Sequence, residues 1–190
     1  MNNQPKKGVL YIMRHGKTDW NKLYKLQGQT DIPLNDEGRQ MAREAAILYK
    51  DVNIDICYCS PLVRAKETAQ LVLEGRNVPV IYDDRLKEMN FGVAEGVENS
   101  FAKPELPINV FFKDPAHYVP VENAESMEEL MSRTWDIVQS DIMPLVNQGK
   151  DVLIVGHGAM NSAIICQMRN QDASHFWDEP IENCRLIKLI

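Results

Sequence analysis

Two short apolar runs, Val9–Met13 and Val152–Val155, constrain this chain most, because neither alternates with polar residues. A strand with one face in water alternates; a continuously apolar one is covered on both faces, as in a parallel sheet flanked by helices. Three further runs read as strands: Ile54–Cys59, Val78–Tyr82 and Leu186–Ile190. Helical periodicity fills the intervals. Asp36–Lys50 carries Met41, Ala42, Ala45, Ala46, Leu48 and Tyr49, and Pro61–Glu74 carries Ala65, Thr68, Ala69, Leu71 and Val72. Ser60 before Pro61 predicts an N-cap with proline at the first helical position, and Gly75 predicts the stop. The longest periodic stretch runs from Ser126 to about Val146 and opens on a capping box of Ser126 and Glu129. Its stripe of Met127, Leu130, Met131, Thr134, Trp135, Val138, Ile142 and Leu145 is expected to face the core. A last helix is expected from Ala159 to about Met168. Strand and helix alternate, which is the pattern of an α/β fold.

A chain of 190 residues, 44% apolar and 25% charged, has enough material for one core and one domain. Its 21 Lys and Arg against 27 Asp and Glu give a net charge of -6, which disfavours nucleic acid and anionic membrane as partners. Any anion site must therefore be local. Lys6 and Lys7 precede an apolar stretch too short for a leader or a membrane span, so a cytoplasmic location is expected. Cys57, Cys59, Cys166 and Cys184 lack zinc spacing and are too sparse for a disulfide framework; free, buried thiols are expected. The stretch Val97–Ala124 is interrupted by Pro104, Pro107, Pro115 and Pro120 and sustains no period, so it reads as a lid-like insertion.

The chemistry-bearing residues cluster at the ends of the buried runs. His15-Gly16 follows one and His157-Gly158 the other. In open α/β sheets the ligand crevice lies beyond the carboxyl ends of the strands, so parallel neighbours would deliver both imidazoles to one crevice. Arg14 adjoins His15, and Arg64 falls in the first turn of a predicted helix, where free N–H groups and the helix dipole favour an anion. Two arginines and two histidines at one edge make a phosphate cradle, since the planar guanidinium binds phosphate oxygens in pairs. Displacing an alcohol from phosphate also calls for a proton donor, and Glu88 follows the strand Val78–Tyr82 and the Asp83-Asp84 turn.

These residues sit in a wider pattern. Arg14-His15-Gly16-Lys17-Thr18 with Trp20-Asn21 resembles the signature of the histidine phosphatase superfamily, the phosphoglycerate-mutase-like proteins. In order follow Gln27-Gly28 with Asp31, Pro33-Leu34 and Gly38, and then Ser60-Pro61-Leu62-Val63-Arg64-Ala65 with Thr68-Ala69. Leu86-Lys87-Glu88 with Phe91-Gly92 and Glu95-Gly96, Glu125-Ser126, Gly156-His157-Gly158 and Asn183-Cys184 complete the series. The resemblance spans nearly the whole chain. It implies a three-layer α/β sandwich, with a mostly parallel central sheet and helices on both faces, as one domain over residues 1–190 with the insertion at about 97–124. It implies His15 as the nucleophile that takes up the phosphoryl group, Arg14, Arg64 and His157 on its oxygens, and Glu88 as acid and base. Asn21, Gln27, Gly28 and Gly158 fall at further substrate-binding positions. No metal or other cofactor is implied. Lys17 stands where the family often has Glu, Ala94 where an aromatic residue is common, and Ala124 where Gly usually precedes Glu-Ser; none of these replaces a reacting group.

The resemblance leaves two reactions on one core: hydrolysis of a small organic phosphate ester through a phosphohistidine, or cofactor-dependent mutase-type phosphoryl transfer of the phosphoglycerate mutase kind. A mutase must retain a second anionic group. Between Val97 and Ala124 there is no arginine, and Lys103 and Lys113 are outnumbered by Glu98, Glu105, Asp114 and Glu122, which favours the phosphomonoesterase. Phe101, Leu106, Ile108, Val110, Phe111, Phe112 and Tyr118 suggest that the insertion covers a substrate with apolar surface.

Overall fold

The computed structural model describes residues 7–190, so Lys6 lies outside the described residues. Five strands, β1 (Leu10–Arg14), β2 (Ile56–Cys59), β3 (Val80–Tyr82), β4 (Val152–Gly156) and β5 (Leu186–Lys188), form one sheet in the order β3-β2-β4-β1-β5. The first four run parallel to their neighbours, whereas β5 lies antiparallel on β1. The helices are α1 (Asp19–Lys22), α2 (Asp36–Leu48), α3 (Val63–Val72), α4 (Asn109–Lys113), α5 (Met127–Ile137), α6 (Met143–Asn147) and α7 (Gly158–Met168).

The two continuous apolar runs are the two central strands, and their side chains alternate between two cores. On one face Met13, Leu153 and Val155 meet Ala42 and Ala45 of α2 and Ala65 and Ala69 of α3. On the other, Leu10, Ile12, Val152 and Ile154 share a cluster with Leu130 and Ile137 of α5 and Ala163 and Ile164 of α7. This is the three-layer sandwich. All four cysteines are free and buried, with Cys57 and Cys59 on the same side of β2.

Several elements depart from expectation in instructive ways. Helix α3 starts at Val63 rather than Pro61, and its first N–H is met from another segment, by Asp31 Oδ1 at 2.7 Å. Ser60 is therefore not its N-cap: the backbone N–H that its hydroxyl accepts is that of Leu62, at 3.3 Å, within the turn ahead of the helix. The long periodic stretch is one helical rod broken by a π-helical turn at Val138–Ile142. Pro144 lacks the N–H that would bond the carbonyl four residues back, so the ladder widens ahead of it. Trp135 and Leu48 fall off their stripes and stand 37% and 72% exposed. The insertion is ordered, with α4 and short helical turns at Ser100–Ala102 and Pro115–His117. Its Phe111 is fully buried, packing edge-on against Phe91, Tyr118, Phe176 and Trp177 at centroid distances of 5.2 to 5.6 Å. Much of its apolar content thus packs inward as core, and Phe101 and Val110 stay exposed.

Candidate active site

Register delivers the site. β1 and β4 pair so that Arg14 lies opposite Gly156, and the next residue of each strand is a histidine; His15 N–H donates to Gly156 O at 2.9 Å. The two imidazoles lie with centroids 5.2 Å apart. One strand further along the edge, Ser60 N–H donates to Val155 O at 3.0 Å, so Ser60 stands beside His157. Its Oγ is 2.7 Å from His157 Nε2. Sequence reasoning missed this contact by giving Ser60 to the helix, although Ser60 ends β2 just as the histidines end β1 and β4.

His15 is buried, and its Nδ1 lies 2.6 Å from Gly16 O. A carbonyl only accepts, so Nδ1 carries the proton and Nε2 keeps its lone pair free. The backbone behind it is fixed by Asn183 Nδ2, which donates to His15 O at 2.6 Å, and by Thr68 Oγ1, which accepts from Gly16 N at 3.0 Å. Burial, then the charges of Arg64 and Arg14, hold the His15 pKa well below the usual imidazole value. His157 is held down likewise by burial, then Arg64. Both rings are therefore neutral near neutrality.

Arg64 is fully buried at the start of α3, and Glu67, one turn on, pairs with Arg39, at 2.6 Å. Arg64 Nη2 donates to Gly28 O at 2.6 Å and its Nη1 to Thr30 O at 2.9 Å. Desolvation pulls its pKa from 12.5 to about 10, still cationic at neutral pH. Gly28 needs to be glycine, since it sits at φ +55° and a side chain there would run into the Glu95 carboxylate. That carboxylate shapes the turn, accepting Gln29 N and Thr30 N, each at 2.9 Å. Arg14 Nη1 donates to Ile181 O at 3.0 Å, while the buried Nε atoms of Arg14 and Arg64 have no protein partner.

Glu88, 8% exposed, lies at the N-terminus of α7. Its Oε2 accepts Gly158 N at 2.9 Å and Ala159 N at 3.2 Å, and its Oε1 accepts Met160 N at 3.0 Å. A cavity of about 200 Å³ brings together Arg14, His15, Asn21, Gln27, Gly28, Arg64, Glu88 and Gly158. Every expected site residue except His157 lines it, and the His157 ring lies beside His15, its centroid 5.2 Å away. Gly158 contributes wall rather than a donor, because its N–H is engaged by Glu88. Asn21 Oδ1 accepts from Thr18 N at 3.1 Å in the capping box of α1. The remaining wall is Leu26, Phe91, Phe111, Phe112, Ala159 and Trp177, with Lys25. Trp177 carried no signal in the sequence; it reaches the pocket by folding onto α4, where its Nε1 donates to Phe111 O at 2.9 Å.

The two depressed histidines make stability fall in acid. The unfolded chain takes up protons near pH 6.5, whereas buried His15 and His157 resist them, so their contribution is complete above pH 6.5 and shrinks below it. Each can cost up to about 1.4 kcal/mol per pH unit in that range. Urea unfolding between pH 7.5 and 5 should show a falling midpoint; a flat midpoint would contradict this burial.

A family model described as the histidine phosphatase superfamily (branch 1) matches residues 10–190. The chain is 38% identical over 164 residues to a protein named "uncharacterized phosphatase PhoE" from Bacillus subtilis (strain 168), covering 85% of this chain and 77% of that one. It is 30% identical over 168 residues to a 2,3-bisphosphoglycerate-dependent phosphoglycerate mutase of Parvibaculum lavamentivorans, covering 84% of this chain and 79% of that protein. Among solved structures, Bacillus stearothermophilus YhfR superposes with a TM-score of 0.85 at 30% identity, over 95% of this chain and 90% of that one.

Proposed function

Since the chain belongs to the histidine phosphatase superfamily, we propose that it is a phosphomonoesterase that hydrolyses a small organic phosphate ester through phosphohistidine on His15. The observation that carries this reading is the His15 ring: its Nδ1 is tied to Gly16 O and its free Nε2 belongs to the cavity shared with Arg14, Arg64 and Glu88. Nε2 attacks phosphorus as the bond to the leaving oxygen breaks, and Glu88 delivers a proton to that oxygen. The unpartnered Nε–H groups of Arg14 and Arg64 supply donors for the phosphoryl oxygens, whose charge is worth most to stabilise in an enclosed site. Gly16 O steadies the positive charge that the phosphorylated ring acquires. Glu88, now a carboxylate, takes a proton from water as that water attacks the phosphohistidine, releasing inorganic phosphate and neutral His15.

Water rather than a second alcohol is the acceptor in this reading. The insertion contributes only Phe111 and Phe112 to the described cavity wall, and Lys25 is paired with Glu98 at 3.4 Å. A mutase would have to hold a second anion there with little free positive charge. A panel of phosphate esters, read by released phosphate beside an isomerisation assay with 3-phosphoglycerate, tests the choice. Release from esters with little isomerisation is expected; efficient isomerisation with little phosphate release would favour the mutase reaction.

Arg14 and Arg64 take the charge role that a divalent ion fills elsewhere, so activity should survive exhaustive chelation with EDTA. Loss on chelation, restored by one divalent ion, would contradict this.

A further inference from the structure

Glu125 and Arg133 lie outside the cavity described above, yet both are largely enclosed, their side chains 11% and 19% exposed. The neighbouring Ser126 has its use in the capping box that opens α5. Glu125 has a different one. Arg133 Nε donates to Glu125 Oε1 at 2.5 Å and Nη2 to Oε2 at 2.9 Å, a two-point pair of the kind only a guanidinium makes. The remaining Arg133 donors go to backbone carbonyls: Nη1 to Arg85 O at 2.7 Å and Lys87 O at 2.8 Å, and Nη2 to Glu88 O at 3.2 Å. All five guanidinium donors are thereby engaged. Glu125 closes the grip from the other side, accepting Asn90 N at 3.1 Å while its own N–H donates to Asn90 O at 2.8 Å. Gln29 Nε2 adds a second donor to Glu88 O, at 3.1 Å.

We propose that Arg133, held by Glu125, is a positioning residue for Glu88. This rests on the reading of Glu88 as the acid and base. The segment from Arg85 to Asn90 has no strand neighbours to fix it, and the ion pair fixes it on both sides of the residue that must reach the leaving oxygen. Lysine cannot replace the five-donor fork. Small displacements of a reacting group are costly: about 1 Å can lower a rate by about 10²-fold.

The test compares wild type with Arg133→Lys, Glu125→Gln, Glu88→Gln and the double variant Glu88→Gln/Arg133→Lys, using β-glycerophosphate and p-nitrophenyl phosphate, with thermal melts on each. The alkyl ester needs its leaving oxygen protonated and the nitrophenyl ester scarcely does. Arg133→Lys and Glu125→Gln should lower kcat/KM, which reports the transfer to His15 and not the later hydrolysis that both esters share, by about 10-fold to 10²-fold on β-glycerophosphate and much less on the nitrophenyl ester. Arg133→Lys should add no further loss in the Glu88→Gln background, because a residue acting through Glu88 has nothing left to position. Equal losses of kcat/KM on both esters, or additive losses in the double variant, overturn the proposal. Selective impairment in Glu88→Gln with unimpaired Arg133 and Glu125 variants overturns the clamp alone, while an unselective Glu88→Gln overturns the acid assignment beneath it. Should Arg133→Lys fail to fold, the near-isosteric Glu125→Gln carries the same comparison.

Discussion

Replacing His15 with alanine is expected to abolish turnover, with a loss on the scale of roughly 10⁶-fold that removal of a covalent nucleophile produces. No neighbour can take over. His157 is the nearest imidazole, but its Nε2 faces Ser60 Oγ at 2.7 Å, and its Nδ1 is buried without a partner. The variant should fold, since the hydrogen bonds that tie this turn to other segments run to the backbone of His15 and Gly16, and the ring bonds only Gly16 O within the turn. Rapid quenching with labelled ester into alkaline denaturant, in which the P–N bond of phosphohistidine survives, should trap phosphate on wild type and none on the variant. Label recovered on any other residue would move the nucleophile elsewhere.

Glu88→Gln should lower kcat/KM by about 10²-fold to 10⁴-fold on an alkyl phosphate, the range for losing one acid/base group, and less on an activated aryl phosphate. Glutamine keeps an oxygen for the N–H groups of α7, but it cannot release a proton to the leaving alcohol or take one from water. The amide also brings an NH₂ toward backbone donors that require acceptors, so one of the contacts with Gly158, Ala159 and Met160 must be given up. Dephosphorylation of trapped phosphohistidine should slow as well. An equal loss of kcat/KM on both esters would assign the proton to another group.

The sandwich was legible because burial on two faces leaves a local trace. Leu10 and Ile12 face one core and Met13 the other, so the run cannot alternate with polar residues. The paired histidines were legible for a related reason: a residue that follows a buried parallel strand sits at its carboxyl edge. Ser60 escaped because its local context, with proline next, is equally that of a helix cap. The helix instead took its cap from Asp31, 32 residues away in the chain. The insertion escaped because its order comes from Phe111 meeting Phe176 and Trp177, partners that no local period announces.

By itself the sequence determined the candidate groups, their order along the chain and the strand ends that carry them, since these follow from residue type and from periodicities spanning a few residues. Tertiary structure decided which nitrogen of His15 is free, how deeply Arg64 is buried, that Gly158 serves Glu88, and that Arg133 and Glu125 grip the segment around it. Each of those depends on hydrogen bonds and desolvation between segments distant in sequence. The chain acquires them only when α3, α5 and α7 close on the sheet, because burial makes an unpaired donor or charge costly enough to select one partner.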